Sequence, residues 1–90
     1  MQNQNIKIKL KNLTKEPGVY KMLDKSGVVI YVGKAKNLKN RVSNYFISSN
    51  HNAKTQLLQK NIDDFSIIIT KTETQALILE NELIKQFKPK

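Results

Sequence analysis

The chain contains no cysteine, and among its 90 residues histidine occurs once. Without cysteine there is no disulfide framework, no thiolate metal site and no thiol nucleophile. The first twenty residues hold no apolar run of signal-peptide length, and no stretch approaches the length of a membrane span. We therefore expect an intracellular protein of one domain, with one modest core and no large buried pocket.

The charge balance is strongly basic, with 16 Lys or Arg against 7 Asp or Glu and a net charge of +9. A charge of that size on a small domain favours a polyanionic partner such as nucleic acid. The alternative is a lysine-rich surface that reflects genome composition. All the basic residues except Arg41 are lysines. A solitary guanidinium indicates either a position that needs a planar, bidentate grip on phosphate or carboxylate, or chance.

A β-hairpin is predicted near the start of the chain. Segments 18–23 and 28–32 are rich in apolar, β-branched and aromatic residues, and segment 24–27 (DKSG) is typical of a turn. If the turn comprises only these four residues, Tyr20 lies directly opposite Tyr31 on one face of the sheet. The two phenols would then form a polar cluster or, alternatively, pack across the strands as ordinary core residues.

The other segments predict helices around a small sheet. The unbroken apolar run 67–69 in the third strand predicts a sheet that is covered on both faces. We expect an α/β (α+β) domain with a small three-stranded, mainly antiparallel sheet flanked by helices. Beyond the hairpin, the predicted elements are a short helix or arm over 1–12, helices over 36–46 and 54–61, a strand over 65–70, and a helix from 72 to about 87.

Glu80 is the most informative residue of the last helix, which a T-x-x-Q capping box opens. On a helical wheel it falls about 40° from Ala76, inside the apolar arc, whereas Glu82 points away from that arc. A carboxylate there loses several kcal/mol of hydration unless it is paired or bound to a metal. One alternative is an ion pair with Arg41 or a nearby lysine. The other is a divalent-metal site.

A single carboxylate is sufficient for Mg²⁺ or Mn²⁺, which keep several waters and take substrate oxygens as further ligands. Zinc is disfavoured, because it usually binds histidine nitrogen and cysteine sulfur, and His51 is the only such residue in the sequence. A lone histidine in a polar loop is more typical of a surface residue.

Two blocks of the sequence resemble a known family. Segments 18–20 (GVY) and 31–41 (YVGKAKNLKNR) resemble the GIY-YIG nuclease signature, and segment 73–85 is similar to the final helix of that family. The version here most resembles the N-terminal endonuclease domain of the UvrC branch, and the likeness extends over about residues 17–89. It implies the GIY-YIG fold for a single domain over residues 1–90, expected to be an N-terminal fragment of a longer protein.

The resemblance also implies roles for site residues. It implies that Tyr31 activates the attacking water, that Tyr20 orients groups beside it, and that Glu80 holds the metal. A phenol with an ordinary pKa near 10 is a poor base at neutral pH, so Tyr31 would need a lowered pKa. Lys34 is expected to neutralise charge near the scissile group, and Arg41 to grip the group as negative charge develops.

Further candidates surround these residues. Gly33, without a Cβ, is predicted to let the backbone leave the strand and approach a phosphate closely. Tyr45, one turn after Arg41, resembles a further site tyrosine, although core packing is the alternative. The DNA-backbone contacts are expected from Lys36, Lys39, Lys54 and Lys85, without sequence preference.

The family implies a metal-dependent endonuclease of nucleotide excision repair, cytoplasmic and associated with the bacterial nucleoid. It would nick damaged double-stranded DNA on the 3′ side of the lesion with one Mg²⁺ or Mn²⁺, in a complex with UvrB after UvrA locates the damage. The family pattern continues into a Pro-x-Tyr-Asn segment, whereas this sequence stops at Pro89-Lys90. The alternatives are a non-catalytic basic nucleic-acid-binding module and another GIY-YIG nuclease.

Overall fold

The computed structural model describes residues 4–47 and 60–89. Three antiparallel strands form one sheet in the order β2-β1-β3, and helices lie on both faces, so the predicted fold class is confirmed. No helix in the described ranges combines the length and apolarity that crossing a bilayer requires. In chain order the elements are α1 (Gln4–Lys11), β1 (Gly18–Leu23), β2 (Val29–Ala35), α2 (Leu38–Ile47), β3 (Asp64–Ile69) and α3 (Glu73–Phe87).

The core is divided by the sheet into two layers, because successive side chains of a strand point to opposite faces. On one face, Tyr20 and Met22 of β1 pack with α1, α2 and Phe65 of β3. On the other face, Val19 of β1 and Val32 of β2 pack against Ala76 and Leu83 of α3. Since α3 contacts β1 and β2, it lies over that half of the sheet.

The hairpin forms as predicted, but its register differs from the prediction by two residues. Tyr20 pairs with Gly33, and Tyr31 pairs with Met22. The turn is longer than four residues because Asp24 holds it with its side-chain Oδ1, which accepts from the backbone N–H groups of residues 26 and 28. A β-bulge beyond Met22 adds the second residue of the shift. A shift of two leaves both tyrosines on the same face.

Helix α2 begins at Leu38, two residues later than predicted, and the chain before the sheet fixes its first turn. The N–H groups of Leu38 and Lys39 donate to the carbonyl oxygens of residues 16 and 14, at 3.1 and 2.9 Å. The side-chain oxygen of Asn37 accepts from the N–H of Asn40 at 3.1 Å, as an N-cap does. The first turn therefore has its N–H groups satisfied within the protein.

Strand β3 is confirmed, but the prediction that both its faces are covered is wrong. Ile68 is 36% exposed and Ile69 is 52% exposed, whereas Ile67 is partly buried against the core. The reason is topological: β3 is an edge strand, and α3 lies over the other two strands. The helix predicted over 54–61 falls mostly outside the described residues, of which 60 and 61 are helical.

Helix α3 has the predicted bounds and a modified capping box. Thr72 Oγ1 accepts from the N–H of Gln75 at 3.1 Å, and Gln75 Oε1 accepts from the N–H of Lys71 at 3.0 Å rather than from the N-cap itself. Lys88 ends the helix in the left-handed conformation, and Pro89 follows. With both ends fixed, the rotation of α3 about its axis is set, and this rotation decides where Glu80 lies.

Candidate active site

Three tyrosine rings form a cluster between the hairpin and α2. The ring centroids of Tyr20, Tyr31 and Tyr45 are 5.8 to 6.1 Å apart, in tilted arrangements. The hydroxyl groups of Tyr20 and Tyr45 lie 3.5 Å apart. Tyr20 and Tyr45 are buried, whereas Tyr31 is partly exposed. The cluster is therefore packed on one side and faces solvent on the other.

Gly33 has a different role from the predicted one. Strand β2 does not end at Gly33 but continues to Ala35. A Cβ on Gly33 would lie 2.4 Å from both Cζ and Oη of Tyr20, the residue opposite it in the register. The missing side chain is therefore the space that the Tyr20 ring occupies, and the prediction that the backbone leaves the strand here is wrong.

Arg41 holds the hydroxyl end of this ring. Its Nε donates to Oη of Tyr20 at 3.3 Å, and the same bond raises the pKa of the guanidinium. Arg41 is itself exposed, and its guanidinium carries four further N–H donors besides Nε. The solitary arginine is thus oriented by the tyrosine cluster while it remains accessible to a ligand.

All three phenols are held in the neutral form. Burial raises the pKa of Tyr31 to about 12, and a hydrogen bond with Tyr45 adds to the effect. Burial raises the pKa of Tyr45 to about 12 as well. Burial also raises the pKa of Tyr20, although the hydrogen bonds of Tyr20 with Tyr45 and Arg41 act in the opposite direction. The surroundings therefore move the pKa of Tyr31 in the direction opposite to the one that a general base requires.

Glu80 approaches the cluster from α3. Glu80 is partly exposed and lines a cleft of about 640 Å³, together with residues of the hairpin and of α2. In the part of the chain that the structure describes, no lysine or arginine nitrogen lies within 4.0 Å of the Glu80 carboxylate, so the ion pair with Arg41 is absent. Glu82 is exposed, as predicted.

The cleft brings together most of the residues singled out from the sequence. Seven of them line it, namely Tyr20, Tyr31, Gly33, Lys34, Lys36, Arg41 and Glu80. Tyr45 packs against the rings of Tyr20 and Tyr31 but is not among the lining residues. Lys39 and Lys85 are not among the lining residues, and Lys85 lies on the side of α3 opposite Ala76. Lys54 and His51 fall outside the described residues.

Four polar residues of the cleft were not identified from the sequence. Glu73 lies in the first turn of α3, and its Oε2 is 4.0 Å from Nζ of Lys36, which also lines the cleft. The other three are asparagines: Asn37, the N-cap of α2, and Asn40 and Asn44 on the helix itself. Their signal was present, since positions 37, 40 and 44 share a helical face with Arg41. Glu73 likewise lies two turns before Glu80 on the same side of its helix.

The donor set of the cleft fits a hard divalent cation. Glu80 offers a carboxylate that has no cationic partner among the described residues, and the neighbouring hydroxyl and amide groups supply oxygens or hold waters. Within residues 4–47 and 60–89 there is no cluster of three or more His, Cys, Asp or Glu side chains. This pattern suits Mg²⁺ or Mn²⁺ with a largely aqueous shell and not a closed zinc cage.

Comparison with known proteins identifies the family. The model of the UvrC-like GIY-YIG domain matches residues 16–90 of the chain. The chain belongs to the UvrC-like GIY-YIG domain family. The N-terminal GIY-YIG endonuclease domain of UvrC from Thermotoga maritima, solved with its catalytic divalent cation magnesium, has a similar structure. The TM-score is 0.84 at 37% sequence identity, over 97% of this chain and 94% of that one.

Full-length relatives of the GIY-YIG domain are UvrABC system proteins C. The protein of Acinetobacter baumannii (strain SDF) is 58% identical over 80 residues, which are 89% of this chain and 13% of its own length. That of Streptococcus mutans serotype c is 56% identical over 88 residues, 98% of this chain and 15% of its own length. The chain thus spans only about one seventh of these relatives.

Proposed function

We propose that the chain is the metal-dependent endonuclease domain of a nucleotide excision repair protein, hydrolysing a phosphodiester bond of damaged DNA. The observation that carries the proposal is that Glu80, a partly exposed residue without a cationic partner in the described ranges, lines the same open cleft as Arg41 and two phenols.

The residues of the cleft take roles that follow from their chemistry. Arg41, oriented by Tyr20, presents donors that stabilise the negative charge developing on the scissile phosphate. Lys34, exposed at the edge of β2, contributes positive charge beside it. Tyr31 is the phenol that reaches the open side of the cluster, where it contacts and orients the attacking water.

Glu80 would hold the divalent ion, with Mg²⁺ or Mn²⁺ as the fitting choice. When bound, such an ion neutralises phosphate charge and lowers the pKa of nearby water and phenol groups. Without that help Tyr31 is protonated at neutral pH, as an ordinary phenol is, and burial raises its pKa further, to about 12. Tyr31 therefore orients the water as a neutral phenol. It could accept a proton from the water only if the bound metal ion lowered the pKa of its hydroxyl group.

The relatives, which are UvrABC system proteins C, support a proposal for the substrate and the partners. We assign damaged double-stranded DNA as the substrate, incision on the 3′ side of the lesion, and UvrB as the partner after UvrA has located the damage, in the bacterial cytoplasm at the nucleoid. The net charge of +9 supports a polyanionic substrate. Lys36 is at the cleft, whereas Lys39 and Lys85 would contact DNA farther from it. The DNA contact of Lys54, which lies outside the described residues, stays a prediction from the sequence.

The experiment is a nicking assay on a duplex with one lesion, with wild type, Glu80→Gln and Glu82→Gln compared in Mg²⁺. We expect Glu80→Gln to abolish nicking while keeping the Tm and DNA affinity, and Glu82→Gln, which removes the same charge at an exposed position, to remain active. Retained nicking in Glu80→Gln contradicts the proposal. Parallel loss of folding and DNA binding would instead identify Glu80 as a structural residue of a non-catalytic binding module.

A further inference from the structure

The wall that α2 presents to the cleft consists of amides around one guanidinium. Asn37, Asn40 and Asn44 line the cleft on either side of Arg41 along the helix. The chain has fifteen lysines, yet on the residues of α2 that line the cleft the only charged side chain is Arg41. The wall thus offers directional hydrogen bonding with little added charge, unlike the opposite wall of β2 with Lys34.

These amides are placed to meet a ligand. The oxygen of Asn37 is occupied as the N-cap of α2, which leaves its NH₂ group as a donor toward the cleft. Asn40 is exposed, and in the described part of the chain its side chain makes no hydrogen bond. The first N–H groups of α2 donate to residues 14 and 16, so the side chains of Asn37 and Asn40, and not the helix N-terminus, are the available donors at this end of the wall.

The length of this wall matches a nucleic-acid strand. From position 37 to position 44 the helix advances about 10 Å at a rise of about 1.5 Å per residue. At about 3.4 Å per nucleotide along one strand, this distance corresponds to about three nucleotides. Arg41 lies in the middle of that span and is bonded to the tyrosine cluster. A strand laid along the wall would therefore have nucleotides on both sides of the phosphate that Arg41 contacts.

We propose that the amides of Asn40 and Asn44 contact the sugar-phosphate backbone of the strand being cut and fix its register, thereby selecting which phosphate lies between Arg41 and Glu80. This inference rests on the proposed nuclease function. Neutral amides fix position without releasing counterions, whereas lysines supply affinity and its salt dependence. The two asparagines are accordingly positioning residues, and their loss affects where and how fast the strand is cut more than how tightly it binds.

The test compares wild type, Asn40→Ala/Asn44→Ala and Asn81→Ala, which changes an exposed asparagine of α3 outside the cleft. For the double variant we expect a DNA Kd within about threefold of wild type and an unchanged slope of log Kd against log salt. We expect single-turnover nicking to fall about tenfold or more, or the cuts to spread to neighbouring phosphates. Lys36→Ala should show the opposite pattern, with weaker binding and a slope reduced by about one.

Unchanged nicking rate and cut position in the double variant would overturn the proposal, and so would a loss of affinity with a reduced salt slope. A second measurement tests the contact between the asparagines and DNA independently of whether the protein nicks DNA. In NMR titrations of wild type with a short duplex, the side-chain NH₂ resonances of residues 40 and 44 should shift, and those of Asn81 should not. If wild type nicks no substrate, shifts at 40 and 44 still support the contact, and their absence overturns it.

Discussion

The packing of Tyr20 over Gly33 gives a sharp prediction for Gly33→Ala. In a strand interior, replacing glycine by alanine would by itself stabilise a protein by about 0.5–1 kcal/mol. Here the new Cβ would lie 2.4 Å from Cζ and Oη of Tyr20 and 2.9 Å from Cε1. The ring is fully buried and cannot swing away freely, so we expect a net destabilisation of about 1–3 kcal/mol, as for overpacked cores.

A double-mutant cycle measures whether the clash is with Tyr20. Tyr20→Leu removes the three atoms that the new Cβ would meet, so in that background Gly33→Ala should cost at least about 1 kcal/mol less than in wild type. The free energies come from urea unfolding. For a domain of this size, each kcal/mol also corresponds to about 4–8 °C in Tm.

Gly27→Ala is the matched control. Gly27 has a φ of 79° and no atom within 4 Å of an added Cβ, so its substitution costs stability through backbone strain alone. It should show no coupling to Tyr20→Leu. If Gly33→Ala stabilises the chain, or if its effect is additive with Tyr20→Leu, the reasoning about the Gly33 position is refuted.

Two further predictions concern the cleft. Arg41→Lys keeps the charge but loses the planar fork and the Nε bond to Tyr20, so nicking should fall by at least about 100-fold in single-turnover assays; near-normal nicking would contradict the bidentate role. Because the pKa values of Tyr31 and Tyr45 are raised from 10.0 to about 12, their neutral forms stabilise the fold fully below pH 10, and this contribution is lost as the pH rises from 10 to 12. The Tm of wild type should therefore fall more over that range than that of Tyr31→Phe/Tyr45→Phe, and equal losses would contradict the raised values.

The meeting of hairpin, α2 and α3 at one cleft could be predicted because periodicity is a local property. Alternation along the strands places Tyr20 and Tyr31 on one face, and the period of α3 turns Glu80 away from Glu82. The predicted hairpin register was wrong by two residues, but a shift of two keeps both tyrosines on the same face of the sheet. The fold class was predictable for the same reason.

Features that depend on tertiary arrangement were not predictable. The role of Gly33 requires knowing which residue lies opposite it, and this was hidden by the Asp24 turn and the bulge. The exposure of Ile68 and Ile69 depends on strand order, which no local pattern encodes. The raised pKa of Tyr31 depends on burial from several elements. The asparagine face of α2, by contrast, was visible in the spacing.

The central claim is that Glu80 is the divalent-metal ligand of the cleft, and Mn²⁺ binding tests it most directly. Calorimetric titration should show one Mn²⁺ per chain in wild type, binding at least about tenfold weaker in Glu80→Gln, and near-normal binding in Glu73→Gln, which removes a carboxylate from the same wall. Binding that survives Glu80→Gln unchanged, or that is lost equally with Glu73→Gln, would contradict the account.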